Sequence, residues 1–69
     1  MKNSFPKNLK LLREENNLSQ TALAAKIGVT QQCVSEWENN KIEPTLSNLW
    51  LLADVFDITV DVLIGRENF

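Results

Sequence analysis

Histidine is absent from this chain and cysteine occurs once, at position 33. A lone thiol cannot close an internal disulfide, and without histidine no Cys/His set of metal-ligand spacing can assemble, so no metal site is expected. The same scarcity removes most enzymatic chemistry. No nucleophile stands beside a base and the carboxylates are scattered, so neither a catalytic residue nor a cofactor is implied, and nothing points to a small-molecule ligand. Long apolar runs are missing as well. No stretch is long enough to cross a bilayer, and MKNSFPKNLK lacks the apolar core and small-residue cleavage site of a secretory signal; a cytoplasmic location and no membrane partner are the expectation. Nor does a Gly/Ser-rich or Pro-rich segment suggest a linker, so residues 1–69 are expected to form one domain.

What is present is a modest core and an uneven charge. A chain of 69 residues with 43% apolar content buries only about 60% of the surface its unfolded form exposes. The net charge of −2 argues against nucleic acid as a partner, because neutralising phosphates needs lysine and arginine. Its distribution tells more. Residues 1–41 carry six basic and four acidic side chains, whereas residues 42–69 carry Arg66 against Glu43, Asp54, Asp57, Asp61 and Glu67. A mildly basic first part and an acidic second part are compatible with one DNA-facing side.

The apolar spacing is helical throughout, with no strand-like alternation, so an all-α fold is expected. Pro6 suits a helix's first turn, and Phe5, Leu9 and Leu12 follow at helical spacing, giving a first helix over 6–15 that Asn16 and Asn17 end. Ser19, Thr30, Thr45 and Thr59 then read as N-caps of four further helices. Leu18/Leu23, Val29/Val34, Pro44/Leu49 and Ile58/Leu63 flank them at the spacing of a hydrophobic staple. Gly28 closes the second helix, and only Val29 separates it from the next cap. Two helices joined this tightly must cross steeply, the geometry of a helix-turn-helix spanning about 19–39.

On the third helix Val34 and Trp37 point inward, leaving Gln31, Gln32, Ser35, Glu36 and Asn39 outside. A carboxamide at a helix tip can pair its donor and its acceptor with adenine N6 and N7 in a major groove. Exposed glutamines are commonplace; what singles out Gln31 and Gln32 is their place at the start of the second helix of a tight turn.

Residues 9–65 resemble the Cro/C1-type (XRE) helix-turn-helix regulators of phages and bacteria. The resemblance rests on LKLLREENNLSQTALAAKIGVTQQCVSEWENNK and EPTLSNLWLLADVFDITVDVLIG. It implies a compact five-helix, lambda-repressor-like DNA-binding domain acting as a homodimer on a palindromic operator of double-stranded DNA, as a repressor or other transcriptional regulator. The recognition helix would be 30–39. By that resemblance Gln31, Gln32, Ser35 and Glu36 contact bases, and Gln20, Thr30, Asn39 and Lys41 contact phosphates, with Gln20 also bracing Gln31. Arg13 and Glu38 match a structural ion pair between the first helix and the end of the third.

Two positions depart from the family pattern. Glu36 is acidic where a basic or amide residue is common; it would weaken non-specific affinity and can accept from cytosine N4. Asn40 replaces a glycine but tolerates a left-handed backbone. Cys33, near a helix N-terminus, is expected to have a somewhat lowered pKa and to serve as packing, with a redox switch as the alternative role.

In the fourth helix Leu46, Leu49, Leu52, Ala53 and Phe56 share a face and are expected in the core. Trp50, Leu51 and Val55 lie elsewhere and, with Val60 and Val62, are expected to form the homodimer interface. The competing arrangement folds Trp50 against the third helix or Trp37 and leaves a monomer. A competing function is an antitoxin-like or adaptor module that uses the same fold to bind protein.

Overall fold

Four hydroxyl side chains begin four helices. In the computed structural model, which describes residues 4–66, α1 (Phe5–Glu15) is followed by α2 (Gln20–Ile27), α3 (Gln31–Glu38), α4 (Leu46–Phe56) and α5 (Val60–Ile64). Ser19, Thr30, Thr45 and Thr59 each hold an extended backbone, and each side-chain oxygen accepts from the N–H three residues on. Every one of these caps was expected, the Thr45 cap included. Each contributes about 0.5–2 kcal/mol to its helix. Lys2 and Glu67, and the chain ends themselves, lie outside the described residues.

The helix ends are equally uniform. A left-handed residue follows each helix: Asn17, Gly28, Asn40, Asp57 and Gly65. The next N–H then donates back five residues, as from Leu18 to the Arg13 carbonyl and from Lys41 to that of Glu36, both near 3 Å. These bonds satisfy carbonyls that the helix itself leaves open. Asn17, Gly28 and Asn40 match expectation; Asp57, an acidic residue with φ of 54°, does not. At Gly65 the requirement is steric as well as conformational, because an added Cβ would lie 2.8 Å from Ser4 Cβ.

The core draws on all five helices. Phe5, Leu9 and Leu12 of α1 meet Leu23, Ala24 and Ile27 of α2, Val34 and Trp37 of α3, four residues of α4 and Leu63 of α5. Phe5 meets Trp37 edge-on, with ring centroids 6.4 Å apart at 68°. That geometry adds about 0.5–1.5 kcal/mol beyond area burial. Asn8 is buried, and its Nδ2 donates to the carbonyls of Val62 and Leu63 at 3.4 and 3.3 Å, tying α1 to α5.

One core assignment is corrected. Leu46 is 61% exposed, although it is three residues from buried Leu49. Cα–Cβ bonds lean toward a helix's N-terminus, so a side chain at the first helical position projects past the end of its own helix and misses the core below.

Candidate nucleic-acid interface

The turn between α2 and α3 is short because Gly28 leaves the helix left-handed (φ 76°) and Thr30 already caps the next. Val34 and Trp37 anchor α3 from beneath, with Trp37 only 1% exposed. The opposite side is therefore turned to solvent. A hollow of about 310 Å³ lies there, lined by Gln31, Gln32, Ser35, Glu36, Asn39 and Lys41. All four expected base-facing residues line it, together with two of the expected backbone contacts. Gln31 and Gln32 are both exposed.

Behind the hollow runs a chain of hydrogen bonds. Arg13 donates from Nε to Glu38 Oε2 at 2.7 Å and from Nη2 to Oε1 at 3.1 Å. Its Nη1 donates to the Leu18 carbonyl at 2.8 Å, so the guanidinium is held from two directions. The hydrogen bond to Glu38 is the main cause holding the Arg13 pKa above its usual value, against the opposing effect of burial. Gln20 Nε2 donates to Glu38 Oε1 at 3.1 Å, and Gln31 Nε2 donates to Gln20 Oε1 at 2.7 Å. The expected ion pair and the expected bracing of Gln31 by Gln20 are thus both present. What the sequence reading missed is that Glu38 joins them into one network.

The remaining residues show individual departures. Asn39 Nδ2 turns back to the Ser35 carbonyl at 2.8 Å and to Ser35 Oγ at 3.3 Å. Ser35 Oγ is thereby an acceptor. Thr30 Oγ1 accepts from the Cys33 N–H at 3.1 Å. The Cys33 thiol is corrected in direction: burial and then the Glu36 carboxylate push its pKa up, not down. Burial, the larger cause, penalises the charged thiolate, and the Glu36 carboxylate repels it.

On α4, Trp50 and Leu51 are 61% and 43% exposed. Trp50 therefore does not fold beneath α3. Val55 and Val60 are half-buried and pack against the core, and Val62 is half-buried. Among the described residues no cluster of metal-ligating side chains occurs, and no helix is long and apolar enough to cross a membrane.

Residues 9–63 match the model of the helix-turn-helix family. The chain belongs to this family, in its XRE type. The transcriptional activator BcrR of Enterococcus faecalis, a helix-turn-helix relative, is 33% identical over 64 residues, covering 93% of this chain and 31% of its own length. The antitoxin HipB of Escherichia coli K12 is 33% identical over 59 residues, covering 86% of this chain and 67% of its own. The P22 c2 repressor, solved in complex with a synthetic operator, superposes with a TM-score of 0.85 at 25% identity, over 91% of this chain and 96% of that one. The fold is accordingly the repressor-like, all-helical one. This chain spans 31–55% of the length of the first curated helix-turn-helix relatives it matches.

Proposed function

We propose that this chain binds double-stranded DNA in a sequence-specific manner and regulates transcription as a repressor, working as a homodimer on a palindromic operator. The observation that carries this reading is the hollow on α3, where exposed Gln31 and Gln32 converge with half-buried Ser35 and Glu36. Those four side chains contact base edges in the major groove. Lys41, Thr30, Gln20 and Asn39 contact the flanking phosphates, aided by the N-terminal ends of α2 and α3.

Size supports two copies. The domain measures 27 × 23 × 20 Å, whereas half-sites one DNA turn apart are separated by about 34–36 Å. One domain reaches one half-site. Trp50 and Leu51 on α4, extended by Val55, Val60 and Val62, supply the apolar surface for pairing.

The test is selection of bound sequences from a random duplex pool, followed by titration of the recovered duplex against salt. A recovered palindrome, and a log–log salt slope near −0.9 per phosphate contacted, are the expected results. Absence of any enriched sequence would overturn the reading. A second reading, an antitoxin-like or adaptor module, is favoured by the similarity to HipB and by the exposed apolar residues of α4. It predicts a flat salt response and no enrichment.

A further inference from the structure

A carboxylate can only accept hydrogen bonds, and a glutamine amide can turn either end toward a neighbour. That asymmetry has a consequence along the network behind α3. Glu38 has no hydrogen to give, so the end of Gln20 that lies 3.1 Å from its Oε1 has to be the NH2 group. The Gln20 carbonyl is then directed at Gln31, which must answer with its own NH2, at 2.7 Å. Orientation thus passes from a shielded ion pair to an exposed fingertip. Glu38 and Arg13 have side chains 4% and 12% exposed, and Arg13 is itself fixed by the Leu18 carbonyl.

What Gln31 has left to offer is decided by this ordering. One Nε2 hydrogen is committed to Gln20, leaving the second hydrogen and Oε1 side by side. A donor beside an acceptor complements adenine N7 and N6; guanine, with acceptors at both N7 and O6, opposes Oε1. Were the order reversed, Gln31 would accept from Gln20 and present two hydrogens outward, which suits guanine.

We propose that the Arg13–Glu38 pair, acting through Gln20, sets the polarity of the Gln31 carboxamide and thereby selects adenine over guanine at the base pair Gln31 faces. Arg13, Glu38 and Gln20 are in this respect positioning residues. The proposal rests on the DNA-binding reading above, but its core, the directional ordering of the amides, is a property of the free protein.

The experiment has two arms. In the first, the duplex recovered by selection is compared with a duplex carrying G·C in place of A·T at the position where Gln31→Ala loses preference. Wild-type protein is expected to favour the A·T duplex by roughly 5- to 150-fold, the range for one bidentate pair. Glu38→Gln lets the order reverse, and the ratio is expected to fall to within about threefold or to invert. Adding Gln20→Glu to Glu38→Gln restores the ratio whatever happens to overall affinity, because a carboxylate at position 20 accepts from the amide at position 38 on one side and from Gln31 on the other. A ratio unchanged in Glu38→Gln, or unrestored in the double variant, overturns the proposal. If Glu38→Gln does not fold, Gln20→Met, which keeps the ion pair, must lose the ratio; retention overturns the proposal.

The second arm uses no DNA. Side-chain amide NMR of the free protein should show one Gln31 hydrogen protected from solvent exchange in the wild type and in the double variant, and unprotected in Gln20→Met. Equal protection in Gln20→Met, or none in the wild type, overturns the ordering directly. Should selection return no duplex, the DNA-binding reading fails while this arm still decides the network.

Discussion

Glu38 receives two hydrogen bonds from a single guanidinium, that of Arg13, at 2.7 and 3.1 Å. With the Glu38 side chain only 4% exposed, loss of Arg13 strands a charge. Arg13→Met is expected to lower stability by about 3–5 kcal/mol, read from the urea midpoint, and Arg13→Met/Glu38→Leu to recover most of that loss. Equal losses in the two variants would refute this. The pKa of Arg13 is raised in the folded chain, so the guanidinium's contribution is intact at neutral pH and is lost as pH rises through the alkaline guanidinium range.

Asp57 adopts φ of 54° at the carboxyl end of α4, where both the backbone conformation and the negative helix pole disfavour it. Asp57→Gly is expected to stabilise the domain by about 1 kcal/mol, raising Tm by roughly 4–8 °C. Asp57→Ala should not reproduce the gain, because it removes the charge and keeps the strain. A melt in which alanine equals glycine counts against the backbone argument.

Burial and Glu36 hold the Cys33 thiol protonated. Its alkylation by iodoacetamide at mildly alkaline pH should be slower in the folded chain than in the urea-unfolded one, and faster in Glu36→Gln than in the wild type. The folded chain binds this proton more tightly, so the thiol's contribution to stability is intact at neutral pH and declines as pH rises through the alkaline thiol range. Faster alkylation when folded would reverse the sign.

Glu36 places a negative charge in the hollow that is proposed to meet DNA. Glu36→Gln should raise affinity for an unrelated duplex and relax any C·G preference, a change worth about 1–3 kcal/mol at the affected base pair. Titration of matched and mismatched duplexes with both proteins measures this. Unchanged affinity and unchanged preference would remove Glu36 from the reading surface.

Leu51 and Trp50 are the exposed apolar residues proposed for pairing. Sedimentation at micromolar concentration should find a dimer in the wild type and a monomer in Leu51→Glu, with helical content retained. A wild-type monomer that Leu51→Glu leaves unaltered would count against the homodimer.

Much of the fold was legible because its signals are local. A hydroxyl that bonds an N–H three residues on acts within one turn, so Ser19, Thr30, Thr45 and Thr59 could be read from sequence alone. Where the deciding partner is remote, reading failed. Asn8 looks like a solvated helix residue until Val62 and Leu63, more than fifty positions away, come to meet it. Leu46 has the right spacing for the core but lies a turn too early to reach it. In the site, spacing put Gln31 and Gln32 on the open face of α3, and resemblance supplied the pairing of Arg13 with Glu38. That Gln20 stands between the two features depended on three helices converging, which no spacing rule encodes.

The two tryptophans occupy opposite extremes, Trp37 at 1% exposure against Phe5 and Trp50 at 61% on α4. Indole emission follows the polarity around the ring, so the native protein carries its own pair of optical reporters. Fluorescence from the first shifts when the chain unfolds, and fluorescence from the second shifts when another surface covers it. A tryptophan-to-phenylalanine exchange at either position separates the signals, and folding and association can then be followed in the same cuvette without a dye.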